Sequence, residues 1–135
     1  MTLHLTLATP TRNILDLENV ESVIAPGVEG ELGILPNHSP LLTKLKDGVI
    51  TYRVGNERKH IGVTSAFMDV VDNKVTIISE SAVLPEEADE ARAEEARRQA
   101  HEQLQKRLEG TDFRQVEAEL RKALLELKLI EHIKK

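Results

Sequence analysis

The change in composition after Pro85 is the sequence feature that most constrains the fold. Downstream of Pro85 there is no proline and a single glycine, Gly110, whereas four prolines and six glycines precede it. Charged residues number 24 in the last 50 positions and 17 in the first 85. Because proline and glycine interrupt helices and mark turns, we predict two domains, a turn-rich domain over residues 1–85 and a helical domain over residues 86–135.

The first domain has the pattern of a β-sandwich. Leu3, Leu5 and Leu7 alternate with polar residues, which is typical of a strand with one buried face. Gly55-Asn56 has the composition of a two-residue hairpin turn. Further strand-like runs lie at positions 20–25, 31–35, 49–54, 60–63, 67–71 and 74–79. Short strands at this spacing indicate an antiparallel sandwich or a flattened barrel.

The second domain has the pattern of a two-helix antiparallel hairpin. Gly110 divides it into two helices of about 22 residues each, and Asp112 with Gln115 fits a capping box at the start of the second helix. The apolar stripe of the first helix is mostly alanine, and that of the second has larger side chains. The two stripes are Ala88, Ala96, Ala100, Leu104 and Leu108, and then Phe113, Val116, Leu120, Ala123, Leu124, Leu127, Ile130 and Ile133.

The unequal stripes bear on whether the hairpin stays in one place. Alanine buries little apolar area, so an alanine stripe holds a helix less tightly than a leucine stripe. We therefore expect the helices to pair firmly near Gly110 and weakly near Pro85. Two interpretations stay open, a hairpin that leaves its docking site and a hairpin that is permanently packed.

Composition argues against several classes of function. A net charge of -5 and only three aromatic residues disfavour nucleic-acid binding as the main task. The chain has no cysteine, which rules out disulfides, thiolate nucleophiles and cysteine-based metal sites. No apolar run approaches the roughly 20 residues that span a bilayer, and the start lacks the features of a signal peptide. We expect a cytosolic chain that reaches a membrane only through a protein partner.

The sequence contains no catalytic motif. Its glycines form no phosphate-binding loop, and its five histidines lack the spacing of a helical metal site. Most carboxylates lie on the charged helical segment, where a solvated face explains them better than acid–base chemistry. We predict a non-catalytic protein without a bound metal, and three features remain as candidates for binding.

The first candidate is the loop of residues 30–40, which reads GELGILPNHSP. Two prolines restrict its polar part, so Glu31 and His38 fit contacts that a rigid loop presents to a partner. The alternative is that His38 only hydrogen-bonds within its own turn.

The second candidate is the pair Asp89 and Arg92, which lie three positions apart on one face of the predicted helix. They fit a local ion pair. They also fit a nucleotide site in which the arginine binds phosphate and the aspartate binds a base or a ribose.

The third candidate is a series of basic residues on both helices. The series fits recognition of an acidic partner surface, and it equally fits a solvated helix face. Its members are Arg97, Arg98, Lys106, Arg107, Arg114, Arg121 and Lys122.

Three segments, taken together, carry a family resemblance. They are GELGILPNHSPLL at residues 30–42, ADEARA at residues 88–93 and AELRKA at residues 118–123. In this order they resemble motifs of the epsilon subunit of F-type ATP synthases, and the resemblance covers nearly the whole chain. Ala88 stands where that family usually has a larger aliphatic residue. The family's Gly-Gly-Phe reads Ser65-Ala66-Phe67 here, so we expect different local backbone angles without a change of fold.

The resemblance implies a ten-stranded β-sandwich followed by a helix-turn-helix, in a rotor protein that binds the gamma subunit and the c-ring and couples proton flow to rotation. It implies that Glu31 faces the polar loops of the c-ring and that His38 lies near the gamma contact. The family's hairpin permits turnover when it is folded against the sandwich. Extended along gamma into the alpha/beta hexamer, it blocks ATP hydrolysis, and the basic series then meets acidic loops of the beta subunits. The implied location is peripheral, on the cytoplasmic face of the cell membrane.

Some members of the family bind ATP between the two helices, which makes an ATP-sensing module the alternative function. Asp89 and Arg92 are present here, but the later positions at which such members carry arginines hold Gln99, Lys122 and Glu126. Because Glu126 repels phosphate, we predict weak ATP binding or none. A free-standing chaperone or adaptor with a helical handle is a third hypothesis.

Overall fold

The computed structural model describes residues 1–106, 110 and 112–134, and in these residues ten strands precede two α-helices. A short 3-10 turn at Pro85–Glu87 joins the two parts. The helices are α1 (Glu90–Lys106) and α2 (Phe113–Lys134). The strands are β1 (Leu3–Ala8), β2 (Asn13–Val20), β3 (Ser22–Gly27), β4 (Gly30–Ile34), β5 (Leu41–Lys44), β6 (Gly48–Val54), β7 (Glu57–Thr64), β8 (Phe67–Val71), β9 (Lys74–Ile78) and β10 (Ser81–Val83).

The strands form two five-stranded sheets. Sheet I has the order β2-β1-β9-β8-β5, and sheet II has the order β10-β7-β6-β3-β4. The predicted sandwich is therefore confirmed. Its description as antiparallel needs one correction, because β1 and β9 run parallel, with Leu5 opposite Val75. A parallel pair requires a long connection between its strands, and here most of the sandwich lies between them.

The core of the sandwich lies between the two sheets. Leu3, Leu5 and Leu7 of β1 are buried there, as the alternation predicts, and they share the core with Ile50 of β6 and Ile61 of β7. Seventeen buried residues form this cluster. It is the larger of the two apolar cores that the described residues form, so it is the main source of stability.

Three strands lack a clear signal in the sequence. In β2 the pairing with β1 is interrupted by two register shifts, and a register shift moves side chains to the other face. The strands β5 and β10 have four and three residues, which is too short for an alternation to be read.

The hairpin turn predicted at Gly55-Asn56 is confirmed, and a second two-residue turn joins β8 and β9 at Asp72-Asn73. Gly55 has a φ of 62° between β6 and β7, and Asp72 and Asn73 have φ of 48° and 63° between β8 and β9. Two-residue hairpins of type I′ require positive φ at both central positions, and aspartate and asparagine tolerate this better than most residues.

The first helix begins at Glu90, later than predicted, and its described part runs to Lys106, whereas α2 has the expected 22 residues. Ala88 has an extended backbone (φ -79°, ψ 132°) that separates the 3-10 turn from α1. The carboxylate of Asp89 accepts a hydrogen bond from the backbone N–H of Arg92 at 3.1 Å, which is the geometry of a helix N-cap. Asp112 likewise caps α2, accepting from the backbone N–H groups of Arg114 and Gln115 at 3.1 and 3.3 Å.

The helices pack antiparallel, and α2 also covers the outer face of sheet II at β6, β7 and β10. Across the hairpin, Glu90 near the start of α1 bonds Lys134 at the end of α2 at 2.8 Å. Among the described residues, neither helix makes a comparable contact with the strands of sheet I. No described helix is long and apolar enough to cross a lipid bilayer.

Candidate functional site

The contact between α2 and sheet II is the structural feature that decides where the hairpin lies. Leu125 and Leu129 are 1% and 0% exposed, and they form a second, smaller core with Val83, Val49 and Ala88. We call these five residues, together with Gly62 beneath them, the docking interface. Four of its members, Gly62, Val83, Leu125 and Leu129, are buried, compared with seventeen residues in the sandwich core.

The single stripe predicted for α2 is wrong in part. Leu124 and Ile133, which the stripe included, are 42% and 46% exposed, whereas Leu125 and Leu129 were outside it. The reason is that α2 is apolar on two sides. Val116 and Ala123, which are buried, lie in the predicted stripe, and Leu125 and Leu129 face the sandwich.

Gly62 makes room for Leu125. A Cβ atom at position 62 would lie 2.9 Å from Cγ of Leu125 and within 3.2 Å of both of its methyl groups, closer than real Cβ atoms pack. A glycine inside a strand often marks such a close approach. That signal was available in the sequence, where Gly62 interrupts the run from His60 to Val63.

A clamp of polar groups lies beside the docking interface. Arg121 of α2 donates two hydrogen bonds to Asp47, at 2.7 and 2.8 Å, and a third to Oγ of Ser65 at 2.8 Å. The hydrogen bonds from Arg121 lower the pKa of Asp47, as does the backbone N–H of Ser65, while partial burial opposes them. The guanidinium and the carboxylate thus stabilise each other's charge across the boundary between helix and sandwich.

Ser65 has a backbone conformation that glycine favours. Its φ is 47°, in the left-handed region that residues other than glycine rarely adopt. Its N–H donates to Asp47 at 3.0 Å and its hydroxyl accepts from Arg121. These bonds help to offset the cost of a positive φ at a serine.

The linker before α1 is also tied to the sandwich. Arg12, in the turn between β1 and β2, donates to both carboxylate oxygens of Glu87 at 3.0 and 3.1 Å. The same carboxylate accepts the backbone N–H of Leu84 at 3.0 Å. The bond from Leu84, followed by those from Arg12, lowers the pKa of Glu87. Both side chains are about half exposed, so this pair contributes little stability.

A cleft of about 750 Å³ lies between α1, α2 and the edge of the sandwich. It contains the candidate nucleotide residue Arg92, and Gln99, Lys122 and Glu126 also line it. Its charged side chains are the cations Arg12, Arg92 and Lys122 and the carboxylates Glu86, Glu87, Glu119 and Glu126. The four carboxylates outnumber the three cations, which disfavours a polyphosphate.

Asp89 and Arg92 do not form the local ion pair that their spacing allowed. Asp89 caps the helix, as described above, and the guanidinium of Arg92 points the other way. It donates to the carbonyl of Glu87 at 2.7 Å and to the carboxylate of Glu126 at 3.3 and 3.4 Å. The side chain of Glu126 is only 8% exposed, so Arg92 is the cation that compensates a nearly buried carboxylate.

The basic series does not form one surface. Arg97 bonds Glu94 at 2.9 Å, and Arg98 bonds Glu95 and Glu102 on α1 itself. Lys106 and Arg114 are exposed, and Arg107 lies outside the described residues. Lys122 lines the cleft, and Arg121 faces the sandwich. In the docked hairpin, Arg97 and Arg98 therefore pair with carboxylates of their own helix.

The candidate loop after β4 is ordered by its own hydrogen bonds. Glu31 is exposed on β4, which lies at an edge of sheet II. Asn37 has a φ of 68°, and its N–H donates to the side chain of Asn73 at 2.6 Å. Nδ1 of His38 lies 2.7 Å from the carbonyl of Ser39, so the local bond foreseen for this histidine is present. Its ring remains partly exposed.

An apolar patch occupies the outer face of sheet I. Phe67, Ile78 and Leu42 are 53%, 61% and 74% exposed. Phe67 pairs with Ile78 across β8 and β9, and Leu42 pairs with Asp69 on the neighbouring strand. We call these three large side chains the outer patch. Exposed apolar side chains that cluster in this way mark surfaces for protein contacts.

Comparison with known families decides the class of protein. A family model described as "ATP synthase, Delta/Epsilon chain, beta-sandwich domain" matches residues 2–85, and one described as "ATP synthase, Delta/Epsilon chain, long alpha-helix domain" matches residues 86–131. The chain belongs to the epsilon-chain family of ATP synthases. The resemblance seen in the sequence motifs is thus confirmed.

Individual relatives agree with the epsilon family. The chain is 46% identical over 106 residues to the ATP synthase epsilon chain of Pelotomaculum thermopropionicum, with 78% of each chain covered. It is 36% identical over 126 residues to that of Symbiobacterium thermophilum, with 93% of this chain and 91% of the relative covered. No catalytic role follows from these relationships.

Solved structures with a similar fold come from ATP synthases. One is a chain in the Euglena gracilis mitochondrial ATP synthase, solved as OSCP/F1/c-ring, with a TM-score of 0.70, 24% identity and coverage of 98% of this chain and 79% of that chain. Another is in the Tetrahymena thermophila mitochondrial ATP synthase central stalk and c-ring, with a TM-score of 0.55, 21% identity and coverage of 69% and 70%. At these identities the likeness supports the fold of the epsilon family.

Proposed function

We propose that this epsilon-family chain is a non-catalytic rotor subunit that links gamma to the c-ring and so couples proton translocation to ATP synthesis. The observation that carries the proposal is the outer patch. It lies on sheet I, while the hairpin covers the outer face of sheet II, so the sandwich keeps one apolar face for a partner in either state of the hairpin. The partner is the gamma subunit, and the complex holds the chain peripherally at the cytoplasmic face of the membrane.

The loop after β4 would complete the rotor contact. Glu31 is exposed on an edge strand, where a carboxylate is free to face the polar loops of the c-ring. His38 is held by its bond to Ser39, which leaves the rest of its ring for a contact with gamma. The bond from Asn37 to Asn73 supports this role, because it ties the loop to the end of sheet I that carries β8 and β9.

The hairpin acts in this proposal as a detachable inhibitor of ATP hydrolysis. The docking interface has two buried leucines, each of which contributes about 2 kcal/mol by burial, and an exposed clamp that adds about 1 kcal/mol. An interaction of similar area with gamma and the alpha/beta hexamer can therefore compete with docking. Once detached, Arg121 and Lys122 become available to acidic loops of the beta subunits.

The rotor contact is tested by purifying the assembled complex through a tag on this chain. Phe67→Glu places a charge in the outer patch, so it should greatly reduce the recovery of gamma. The matched control is Phe113→Glu, which makes the same change at a residue 39% exposed on the hairpin and should leave recovery unchanged. Equal recovery with both variants would remove the patch from the rotor contact. Absence of gamma with the unaltered chain would favour a free-standing adaptor.

The inhibitory role is tested by deleting residues 86–135. The deletion should raise ATP hydrolysis by the reconstituted complex without loss of assembly, because the outer patch and the loop remain. Unchanged hydrolysis in a fully assembled complex would contradict inhibition by the hairpin and leave the rotor contact standing.

A second candidate function is ATP sensing, and the cleft of about 750 Å³ beside Arg92 is the observation in its favour. Its charge balance and the bond from Arg92 to Glu126 argue for weak ATP binding or none. Calorimetry of the isolated chain with ATP separates the two functions. Micromolar binding that Arg92→Ala abolishes would establish the sensing role.

A further inference from the structure

Two histidines meet across the boundary between the hairpin and the sandwich. His60 lies on β7, and His132 lies in the last turn of α2. Their ring centroids are 6.0 Å apart, and the ring planes are inclined by 59°. They are separated by 72 positions in the sequence, so only docking of α2 on sheet II brings them together. We call this pair the histidine contact.

Each ring is held by one of its nitrogens. Nδ1 of His60 lies 2.8 Å from the hydroxyl of Thr51 on β6. Nδ1 of His132 lies 3.0 Å from the carbonyl of Lys128. A carbonyl only accepts hydrogen bonds, so Nδ1 of His132 donates to it. Each ring therefore has one hydrogen-bond partner that orients it.

The surroundings of His60 disfavour its charged form. Partial burial lowers the pKa of His60, and the nearby His132 and Arg58 lower it further. A groove beside the contact also presents Lys59, and its only carboxylate among the described residues is Glu86. The remaining titratable group that lines this groove is Tyr52. The docked state thus offers His60 more positive than negative neighbours.

We propose that the histidine contact makes docking of the hairpin sensitive to protons, so that acidification releases α2 from sheet II. This deepens the proposed function, because it rests on the hairpin being detachable. When α2 leaves, His60 loses its cover and His132 moves away, so the undocked state binds protons more readily. Docking is then fully favourable above the ordinary histidine pKa of 6.5 and weakens as the pH falls below it.

The size of the effect follows from the distance. Two positive charges 6.0 Å apart repel each other enough, even at the dielectric constant of water, to change an equilibrium about threefold. The docked-to-undocked ratio should therefore fall about threefold between pH 8 and pH 5.5. In the complex, acidification should therefore increase the fraction of hairpins that are released and inhibitory.

The experiment measures the docked fraction of the full chain by single-molecule energy transfer. Dyes on Asn56→Cys in the β6–β7 turn and Glu117→Cys on α2 report the distance, since both positions are exposed and the chain has no cysteine of its own. Leu125→Asp, which places a charge in the docking interface, supplies the undocked reference. The docked-to-undocked ratio of the unaltered chain should fall about threefold from pH 8 to pH 5.5.

Three variants decide whether the histidine contact is the cause. His60→Gln should abolish the pH dependence, and His132→Gln should weaken it, because the second change removes one neighbour that lowers the pKa of His60 and leaves the burial. His101→Gln, the same change on an exposed residue of α1, should keep the full dependence. A pH-independent ratio in the unaltered chain, or an unchanged dependence in His132→Gln, would overturn the proposal. If Leu125→Asp stays docked as well, the detachable hairpin of the proposed function fails with it.

Discussion

Arg121 on α2 and Asp47 on the sandwich are joined by two hydrogen bonds, from Nε at 2.7 Å and from Nη2 at 2.8 Å. The two residues are 74 positions apart, so their bond exists only while the hairpin is docked. Arg121 belongs to the basic series that the family resemblance assigns to beta-subunit contacts. The same side chain thus stabilises the docked state and would be released for the extended one.

Arg121→Gln should weaken docking by about 1 kcal/mol, because it removes a paired charge from a half-exposed ion pair. The docked fraction measured by energy transfer between the sandwich and α2 should fall accordingly. Arg114→Gln is the control, since Arg114 is exposed on the same helix and only its backbone N–H is bonded to a cap. Equal effects of the two substitutions would show that charge on α2 in general, and not the clamp, holds the helix.

The clamp also predicts a dependence on acid. The bonds from Arg121 hold the pKa of Asp47 below its ordinary value of 3.8. A carboxylate whose pKa is lowered by docking stabilises the docked state fully above pH 3.8, and this stability is lost as the pH falls through the lowered value. The docked fraction should drop between pH 5 and pH 3, and the drop should be smaller in Asp47→Asn. An identical drop in that variant would assign the acid sensitivity to other carboxylates.

Leu125→Ala should reduce docking far more than the neighbouring Leu124→Ala. Leu125 is 1% exposed and Leu124 is 42% exposed. Truncating a buried leucine costs about 2–5 kcal/mol, whereas truncating a half-exposed one costs about 1 kcal/mol or less. Because Leu125 touches the sandwich only from outside, thermal unfolding of the sandwich itself should shift little. A large loss of sandwich stability in Leu125→Ala would mean that the two parts unfold as one unit.

Gly62→Ala should displace the hairpin without disturbing the sandwich. The added methyl group would lie 2.9 Å from Cγ of Leu125, and overpacking of this kind costs about 1–3 kcal/mol. Gly33→Ala is the matched control, because a Cβ there meets nothing within 4 Å. In the assembled complex, Gly62→Ala should lower the rate of ATP hydrolysis, since the undocked hairpin inhibits. A rate equal to that of the unaltered complex would contradict this assignment.

Glu126→Gln should strengthen ATP binding if the cleft holds nucleotide at all. The substitution removes a nearly buried carboxylate and releases the guanidinium of Arg92, to which it is now bonded at 3.3 Å. Calorimetry should show an affinity about tenfold higher than that of the unaltered chain. Glu117→Gln, an exposed change elsewhere on α2, should have no effect. If ATP binds neither variant, the cleft has no nucleotide function.

The sequence predicted the architecture well because its signals are local. Alternation in β1, the turn residues Asp72 and Asn73, and the cap at Asp112 are each visible within a few positions. The docking interface was harder to predict, because α2 is apolar on two sides, and one helical stripe does not say which side meets the sandwich. Leu125 was therefore missed.

The candidate site was likewise hard to predict where its contacts join residues that are distant in the sequence. The bond from Arg92 to Glu126 spans 34 positions and the clamp spans 74, so no local spacing reveals either. The structure places Arg92 on the cleft and pairs it with Glu126, whereas Asp89, the partner that the local spacing offered, caps the helix. Only Gly62, a glycine inside a strand, gave a local hint of the contact made there.

The central claim is that the hairpin docked on sheet II permits ATP hydrolysis and the released hairpin inhibits it. A disulfide between Gly62→Cys and Leu125→Cys tests it directly. The Cβ position of residue 62 lies 2.9 Å from Cγ of Leu125, so the two Cβ atoms are within about 4.5 Å, which fits a disulfide. In the assembled complex, oxidation should raise hydrolysis to the rate seen without residues 86–135, and reduction should restore inhibition. A complex that stays inhibited with the disulfide formed would contradict the account.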